Sequence, residues 1–350
     1  MHYTVYGAGA IGGTVGAHMV RGGESVVFVD RDPEHVRAMQ QRGLTIRGFA
    51  ETFTVKVEAT TPDALPDRLE TVLLACKAPA TEDAVRSFKD KLAPDGCVVS
   101  LQNGLNELQI ARLVGQERTI GAFVNFSADY LEPGLIHFGG RGAFYIGELD
   151  GSITPRIQQL RDGLAHWGNV QVTDNIWGFL WGKQAYGAML FATALTNDSM
   201  GDAIDQHRDV TVELAREVLR VAHALKRTPL GFDGFEPDAI GSADQATLDA
   251  SLERLLAVRR TDEKTHSGVW RDMAVRKRRT EVDAHFGPIV ADAHRLGLDV
   301  PLLEGMIAMI HEVEDGRRPF AGANLDELAV ATRSASSPTQ NTSHGVNKAG

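Results

Sequence analysis

Apolar positions in the first hundred residues fall into short runs separated by helical stretches. His2-Tyr3-Thr4-Val5-Tyr6 is a β-rich run that breaks into Gly7-Ala8-Gly9-Ala10-Ile11-Gly12. A helical pattern follows over 13–21, Gly22-Gly23 ends it, and Ser25-Val26-Val27-Phe28-Val29-Asp30 reads as a second strand closed by an acid. Pro33 sits in the first turn of a helix over 33–42, and Gly43 stops it. Strands are expected at 44–47 and 53–57. Thr71-Val72-Leu73-Leu74-Ala75-Cys76 is a continuous apolar run suited to a strand covered on both faces. Lys77 follows it, then a helix over 81–92, then strand Cys97-Val98-Val99-Ser100-Leu101 running into Gln102-Asn103-Gly104. Strands alternating with helices predict an α/β fold with a doubly wound parallel sheet.

The later pattern differs. The stretch 119–151 is glycine-rich and β-like and predicts further strands joined by tight turns. A helix over 155–167 and a strand at 170–172 complete this half. From 176 the period is helical: 176–197, 209–225, 246–258, 280–296 and 301–316, with a Pro- and Gly-rich loop over 226–243. The expected organisation is therefore 1–174 as a dinucleotide-binding half and 175–330 as a helical half. Residues 331–350 are rich in Ser, Thr, Asn and Gly without periodicity and read as a disordered tail.

Composition narrows the classes. The 350 residues are 43% hydrophobic and 23% charged, as in ordinary globular proteins. A net charge of -10 argues against a general nucleic-acid binder. No apolar run approaches the ~20 residues of a membrane span, and the chain opens on a strand, so neither a membrane anchor nor a signal peptide is expected. Cys76 and Cys97 lie near buried strands rather than in a spaced framework, which predicts reduced thiols packed in the core of a cytoplasmic protein. No metal site is expected.

Strand, GxGxxG, helix, strand and terminal acid form a dinucleotide fingerprint in its full context. Gly7 allows the tight turn, Gly9 lets the backbone approach a pyrophosphate, and Gly12 permits close helix–strand packing. The helix start, with Ala10 and Ile11, offers free N–H groups and a positive dipole end to phosphates. Ligands of such sheets sit at the carboxyl ends of strands, where Gly7, Asp30, Lys77 and Asn103 each fall. Taken singly, Lys77 and Asn103 read equally well as ordinary loop polarity; their shared placement favours function. Lys183 lies amid Phe179, Leu180, Trp181, Met189 and Leu190. Such a lysine can snorkel to water, or desolvation can lower its pKa and make it a proton donor. The basic run Arg276-Lys277-Arg278-Arg279 reads as a solvated turn before a helix start near Thr280, Glu281 and Asp283.

In order, GAGAIG, CK after a buried strand, QNG after the next, PG, GE, WGK on the first long helix, HSGVWRD and RRTEVD resemble the ketopantoate reductase (2-dehydropantoate 2-reductase) family over roughly 1–320. The resemblance implies a Rossmann domain followed by a helical domain like that of 6-phosphogluconate dehydrogenase. It implies hydride transfer from NADPH to the C2 ketone of ketopantoate in pantothenate biosynthesis, and it leaves room for a homodimer. By that resemblance Lys183 protonates the carbonyl oxygen and Lys77 lies near the cofactor. Asn103 touches cofactor and substrate, Ser267 contacts substrate, and Glu281 closes the site across the cleft.

Where the family places asparagines four and eight residues after the lysine, this chain has Gly187 and Phe191. Lys183, Gly187 and Phe191 are expected to share one helical stripe facing the substrate. Gln184 and Tyr186 offer polar atoms off that stripe. The cofactor is open between two readings: Asp30 suits the free ribose 2′-OH of NAD, and Arg31 matches the family position that meets the 2′-phosphate of NADP, with NADP favoured by resemblance. Three functions follow: a reductase of ketopantoate or a related 2-oxo acid, the same chemistry on a more apolar keto acid or an amino-acid derivative, or a nucleotide-sensing protein without turnover.

Overall fold

The computed structural model describes residues 1–260 and 265–335. Twelve strands form two sheets: β1 His2–Tyr6, β2 Ser25–Val29, β3 Leu44–Gly48, β4 Thr52–Val55, β5 Glu58–Thr60, β6 Leu69–Leu74, β7 Leu92–Ser100, β8 Thr119–Val124, β9 Ser127–Glu132, β10 Leu135–Gly140, β11 Phe144–Glu148 and β12 Val170–Val172. The large sheet runs β12-β11-β8-β7-β6-β1-β2-β5. It is parallel from β8 to β5, while β11 runs antiparallel to β8. Period-two alternation divides its side chains between two cores. Val5, Leu73 and Val99 enter the cluster under helices Ala10–Arg21 and Pro155–Leu164, whereas Tyr6, Val72, Leu74 and Val98 enter the cluster under Thr81–Phe88 and Glu107–Val114.

The structure adds to the expected pattern at three places. The strands of 119–151 are not all one sheet: β9 and β10 leave it and join the β3–β4 hairpin in a second sheet ordered β4-β3-β10-β9. Periodicity marks strands but carries no information on which partner they pair with. Residues 105–114, unassigned from the sequence, hold the helix Glu107–Val114. The loop over 226–243 contains a helical turn, Pro237–Gly241.

After β12 every named element is helical. The first, Ile176–Thr193, is apolar nearly all round, as befits a helix at the centre of a bundle. Asn175 caps it by accepting from Gly178 N at 2.9 Å. It packs on Arg208–Ala224 in a core that also takes Val282–Leu296 and Pro301–Glu314. The last helix, Ala323–Ala335, extends past 330, so the expected tail loses its first five positions to helix; 336–350 lie outside the described residues. No described helix is long and apolar enough to cross a membrane.

Candidate active site

The strand order sets the order of the site. Along the carboxyl edge of the parallel strands lie, in turn, the end of β8 (Val124), the turn after β7 (Asn103), the turn after β6 (Lys77), the glycine loop after β1 and Asp30 after β2. The glycine loop is built for a close-lying ligand. Gly7 has φ +98°, and a Cβ there would lie 2.5 Å from Cys76 N. A Cβ on Gly12 would meet Ala75 Cβ at 2.8 Å and a Val5 methyl at 2.9 Å. At Gly9, by contrast, nothing lies within 4 Å, so the loop is tight against the sheet and open on its outer face. The helix Ala10–Arg21 starts there with no acid in its first turn. Open space, free N–H groups and the dipole end fit a pyrophosphate.

Asp30 has a task that the pattern alone does not reveal. Its carboxylate accepts from Ala8 N at 2.9 Å and from Asp32 N at 3.0 Å, so it staples the second strand to the glycine loop. Arg31 beside it is exposed and has no ion-pair partner among the described residues. A free guanidinium at the ribose end fits a 2′-phosphate.

At the other end, Lys183 Nζ donates to Asn103 Oδ1 at 2.7 Å and to the carbonyl of Val124 at 2.5 Å. It lies 5.3 Å from the centre of the Phe123 ring. Both acceptors are neutral, and desolvation pulls the ammonium down to about 8; Glu107 opposes that fall. The Asn103 turn is braced: Gln102 Nε2 donates to the Cys76 carbonyl and to Thr81 Oγ1, each at 2.8 Å, and Asn106 Nδ2 donates to the Asn103 carbonyl at 2.6 Å.

Between the two ends, Glu281 reaches across from the start of helix Val282–Leu296. It accepts from Ala78 N at 2.8 Å and forms an ion pair with Lys77. Thr280 supports this start by accepting from Val282 N at 3.3 Å. Arg276 and Arg278 of the basic run pair with Asp272, and Arg279 with Glu314 and Asp315.

The helix carrying Lys183 opens along a stripe different from the one expected. Every residue of Ile176–Thr193 is buried except Lys183, Gly187 and Leu190. Phe191 is buried, its ring 5.0 Å from those of Phe286 and His285. Spacings of four and eight place Phe191 about 80° from Lys183, whereas four and seven return to the same face. A Cβ on Gly187 would touch nothing nearer than 3.9 Å. Gln184 is not available to a ligand, because its amide donates to the His285 carbonyl at 2.9 Å and meets His285 Nδ1 at 3.2 Å. Burial pushes His285 down to about 4, so the ring is neutral. Tyr186 is buried against Phe232, Phe235 and the Arg259 guanidinium. Ser267 is buried and caps helix Gly268–Ala274, accepting from Trp270 N at 3.2 Å. Cys97 is buried and Cys76 half-buried, both as free thiols.

Four participants went unrecognised in the sequence: the Val124 carbonyl, Gln102, His285 and Glu107. A main-chain carbonyl has no residue signature. The other three would have been found only by knowing which distant elements adjoin.

A dinucleotide cradle and a desolvated lysine on one sheet edge, faced by a helical half, define a nicotinamide-dependent oxidoreductase. Known proteins give this class its family. The family model for ketopantoate reductase PanE/ApbA matches residues 3–151, and that for its C-terminal part matches 175–314. The chain belongs to the ketopantoate reductase family, whose members are reductases of a ketone. The 2-dehydropantoate 2-reductase of Pyrococcus horikoshii is 29% identical over 309 residues, which is 86% of this chain and 94% of that protein. Its counterpart in Archaeoglobus fulgidus is 26% identical over 315 residues, 89% of this chain and 97% of that one. Among solved structures, a PanE/ApbA family ketopantoate reductase from Ralstonia eutropha superposes with TM-score 0.76 at 26% identity, covering 91% of this chain and 99% of its own. D-mandelate dehydrogenase, solved with NADH and anilino(oxo)acetate, shares the fold with TM-score 0.77 at 20% identity, over 91% of this chain and 99% of its own.

Proposed function

We propose that this chain reduces the C2 ketone of a 2-oxo acid, ketopantoate first among them, with NADPH as the reductant and Lys183 as the proton donor. The observation that carries this reading is the position of the Lys183 ammonium. Two neutral acceptors hold it at the carboxyl edge of the sheet, and its pKa is about 8. A general acid works best when its pKa lies near the working pH. Two of its N–H bonds are taken by Asn103 and Val124, which leaves the third to point at a ketone oxygen. A bound reduced nicotinamide supplies the hydride. The glycine loop from Gly7 through Ala8, Gly9, Ala10 and Ile11 to Gly12 would hold the pyrophosphate, and Arg31 the 2′-phosphate. Lys77 and Glu281, joined across the cleft, would close over the middle of the cofactor and keep water out. The same reading divides the chain after 174 into cofactor and substrate halves. It allows a homodimer through the helical half and requires neither nucleic acid nor a membrane.

Ser267 enters this reading through helix Gly268–Ala274, whose start it fixes, rather than through a free hydroxyl. The open stripe supports a second reading of the substrate. Gly187 and Leu190 offer space and an apolar wall where amides would bind a hydroxyl, which favours a more apolar keto acid. Oxidation of NADPH and NADH, followed with ketopantoate and a panel of 2-oxo acids, tests both. Turnover of ketopantoate above all apolar analogues rejects the second reading. No turnover of any keto acid with either cofactor rejects both.

A further inference from the structure

His35 is buried on helix Pro33–Arg42, with both ring nitrogens in hydrogen bonds. Gly134 N, in the turn between β9 and β10, lies 3.0 Å from Nδ1. A main-chain N–H can only donate, so Nδ1 accepts and carries no proton. The ring proton is therefore on Nε2, which donates to the Ala8 carbonyl at 2.9 Å. The turn itself is tied down. The Gly134 carbonyl accepts from Thr45 N at 2.9 Å, and the Tyr130 ring of β9 meets the imidazole edge-on at 5.0 Å. Through this one side chain the second sheet buttresses the glycine loop.

Ala8 is held from both ends. Its N–H donates to Asp30 Oδ2 at 2.9 Å, and its carbonyl accepts from His35. Asp30 also accepts from Asp32 N, and Asp32 caps the helix that carries His35. The peptide between Ala8 and Gly9 is trans and planar, so its N–H points opposite to its carbonyl. With that carbonyl turned to the buried imidazole, the Gly9 N–H points to the outer face, where Gly9 is open. Helix Ala10–Arg21 begins beyond it, Gly13 N donating to the Gly9 carbonyl at 2.8 Å.

We propose that His35 is a positioning residue of the cofactor site: its Nε2–H locks the Ala8–Gly9 peptide so that the Gly9 N–H faces the pyrophosphate. The proposal rests on the reading of the glycine loop as a dinucleotide cradle. Gly9 has no Cβ to restrict its backbone, so an unlocked peptide is free to turn over. It would then set a carbonyl dipole against the phosphates in place of a donor. NADPH and NADH share the pyrophosphate, so His35 acts on both cofactors alike, unlike Arg31.

Two substitutions separate the two ring nitrogens. H35N keeps an acceptor near Nδ1 for Gly134 N and is too short to reach Ala8. H35Q carries a donor to the position of Nε2 and gives up the Gly134 bond. Fluorescence titration of the full-length protein should show H35N binding NADPH and NADH each roughly 10–100-fold more weakly, the usual cost of losing a donor to a charged group. H35Q should recover most of that loss. In steady state the H35N defect should lie in KM for the cofactor, with a much smaller change in kcat and in KM for ketopantoate. Both variants give up a buried hydrogen bond, so both should melt earlier, and only H35N should lose cofactor affinity. H35N with wild-type affinity overturns the proposal, and so does H35Q binding as weakly as H35N. Ring-nitrogen NMR of the wild-type protein needs no variant: Nε2 of His35 should bear the proton. A proton on Nδ1 overturns the proposal even if neither variant folds. Wild-type protein that binds neither NADPH nor NADH overturns the cradle reading, and the proposal with it.

Discussion

Lys183 and Asn103, 80 residues apart in the chain, meet through a 2.7 Å hydrogen bond from the ammonium to the amide oxygen. The bond joins the centre of the helical half to the edge of the sheet, so the proposed acid is fixed by the half that would hold the cofactor.

Lys183→Ala should reduce turnover by ~10²–10⁴-fold, the usual contribution of a positioned acid, with NADPH affinity nearly unchanged. In wild type, reduction requires the protonated amine. Activity should therefore hold below pH 8 and decline as pH rises through about 8. Steady-state rates across pH check both; near-normal turnover in the variant would exclude Lys183 as the acid.

Asn103→Ala removes one of the two acceptors on the ammonium. A hydrogen bond to a charged group contributes ~1.5–3 kcal/mol, so kcat/KM should fall by roughly 10–100-fold. Melting temperature separates this effect from unfolding, since Asn103 is exposed. A fully active variant would mean that Val124 alone positions the lysine.

Arg31→Ala should weaken NADPH more than NADH, by roughly tenfold or more, through loss of charge-assisted bonds to a 2′-phosphate. Asp30→Ala should weaken both cofactors, because Ala8 N and Asp32 N lose their acceptor and the loop loosens. Titration by protein fluorescence gives the four constants. An Asp30→Ala that improves NADPH alone would show that its charge matters more than its staple.

Gly187→Asn has room for its side chain and should improve KM for ketopantoate relative to apolar 2-oxo acids without loss of stability. Phe191→Asn should instead destabilise, by ~3–5 kcal/mol on the scale of buried aromatic truncations, because the ring packs on Phe286 and His285. Thermal unfolding and substrate kinetics of the single variants distinguish the two positions. Equal stability of both variants would contradict the burial of Phe191.

Glu217 predicts a pH effect on stability alone. Buried on helix Arg208–Ala224, it accepts from Leu302 N at 3.1 Å and Leu303 N at 2.8 Å, yet desolvation raises it from 4.5 to about 7. The folded state thus binds this proton more tightly than the unfolded state. Its contribution is greatest below pH 4.5 and is lost as pH rises through about 7. Chemical unfolding of Glu217→Gln across that range should show a flatter slope than wild type; parallel slopes would refute the assignment.

Local signals determined much of this protein. Glycine spacing, strand and helix periods and the acid after the second strand specify the cradle from residues that are near one another in sequence. Backbone sterics and side-chain period act over a few residues, so they can be read there. Only the tertiary structure decided what depends on pairing at long range. β9 and β10 form a sheet with β3 rather than with β8, and Glu281 finds Lys77 across 204 residues. Asp30 is turned inward onto Ala8, and Asn103 comes to meet Lys183. Which face of the lysine helix opens was decided the same way, since helix Val282–Leu296 covers Phe191 and leaves Leu190. A helix that is apolar all round has no intrinsic outer face, and its neighbours choose one.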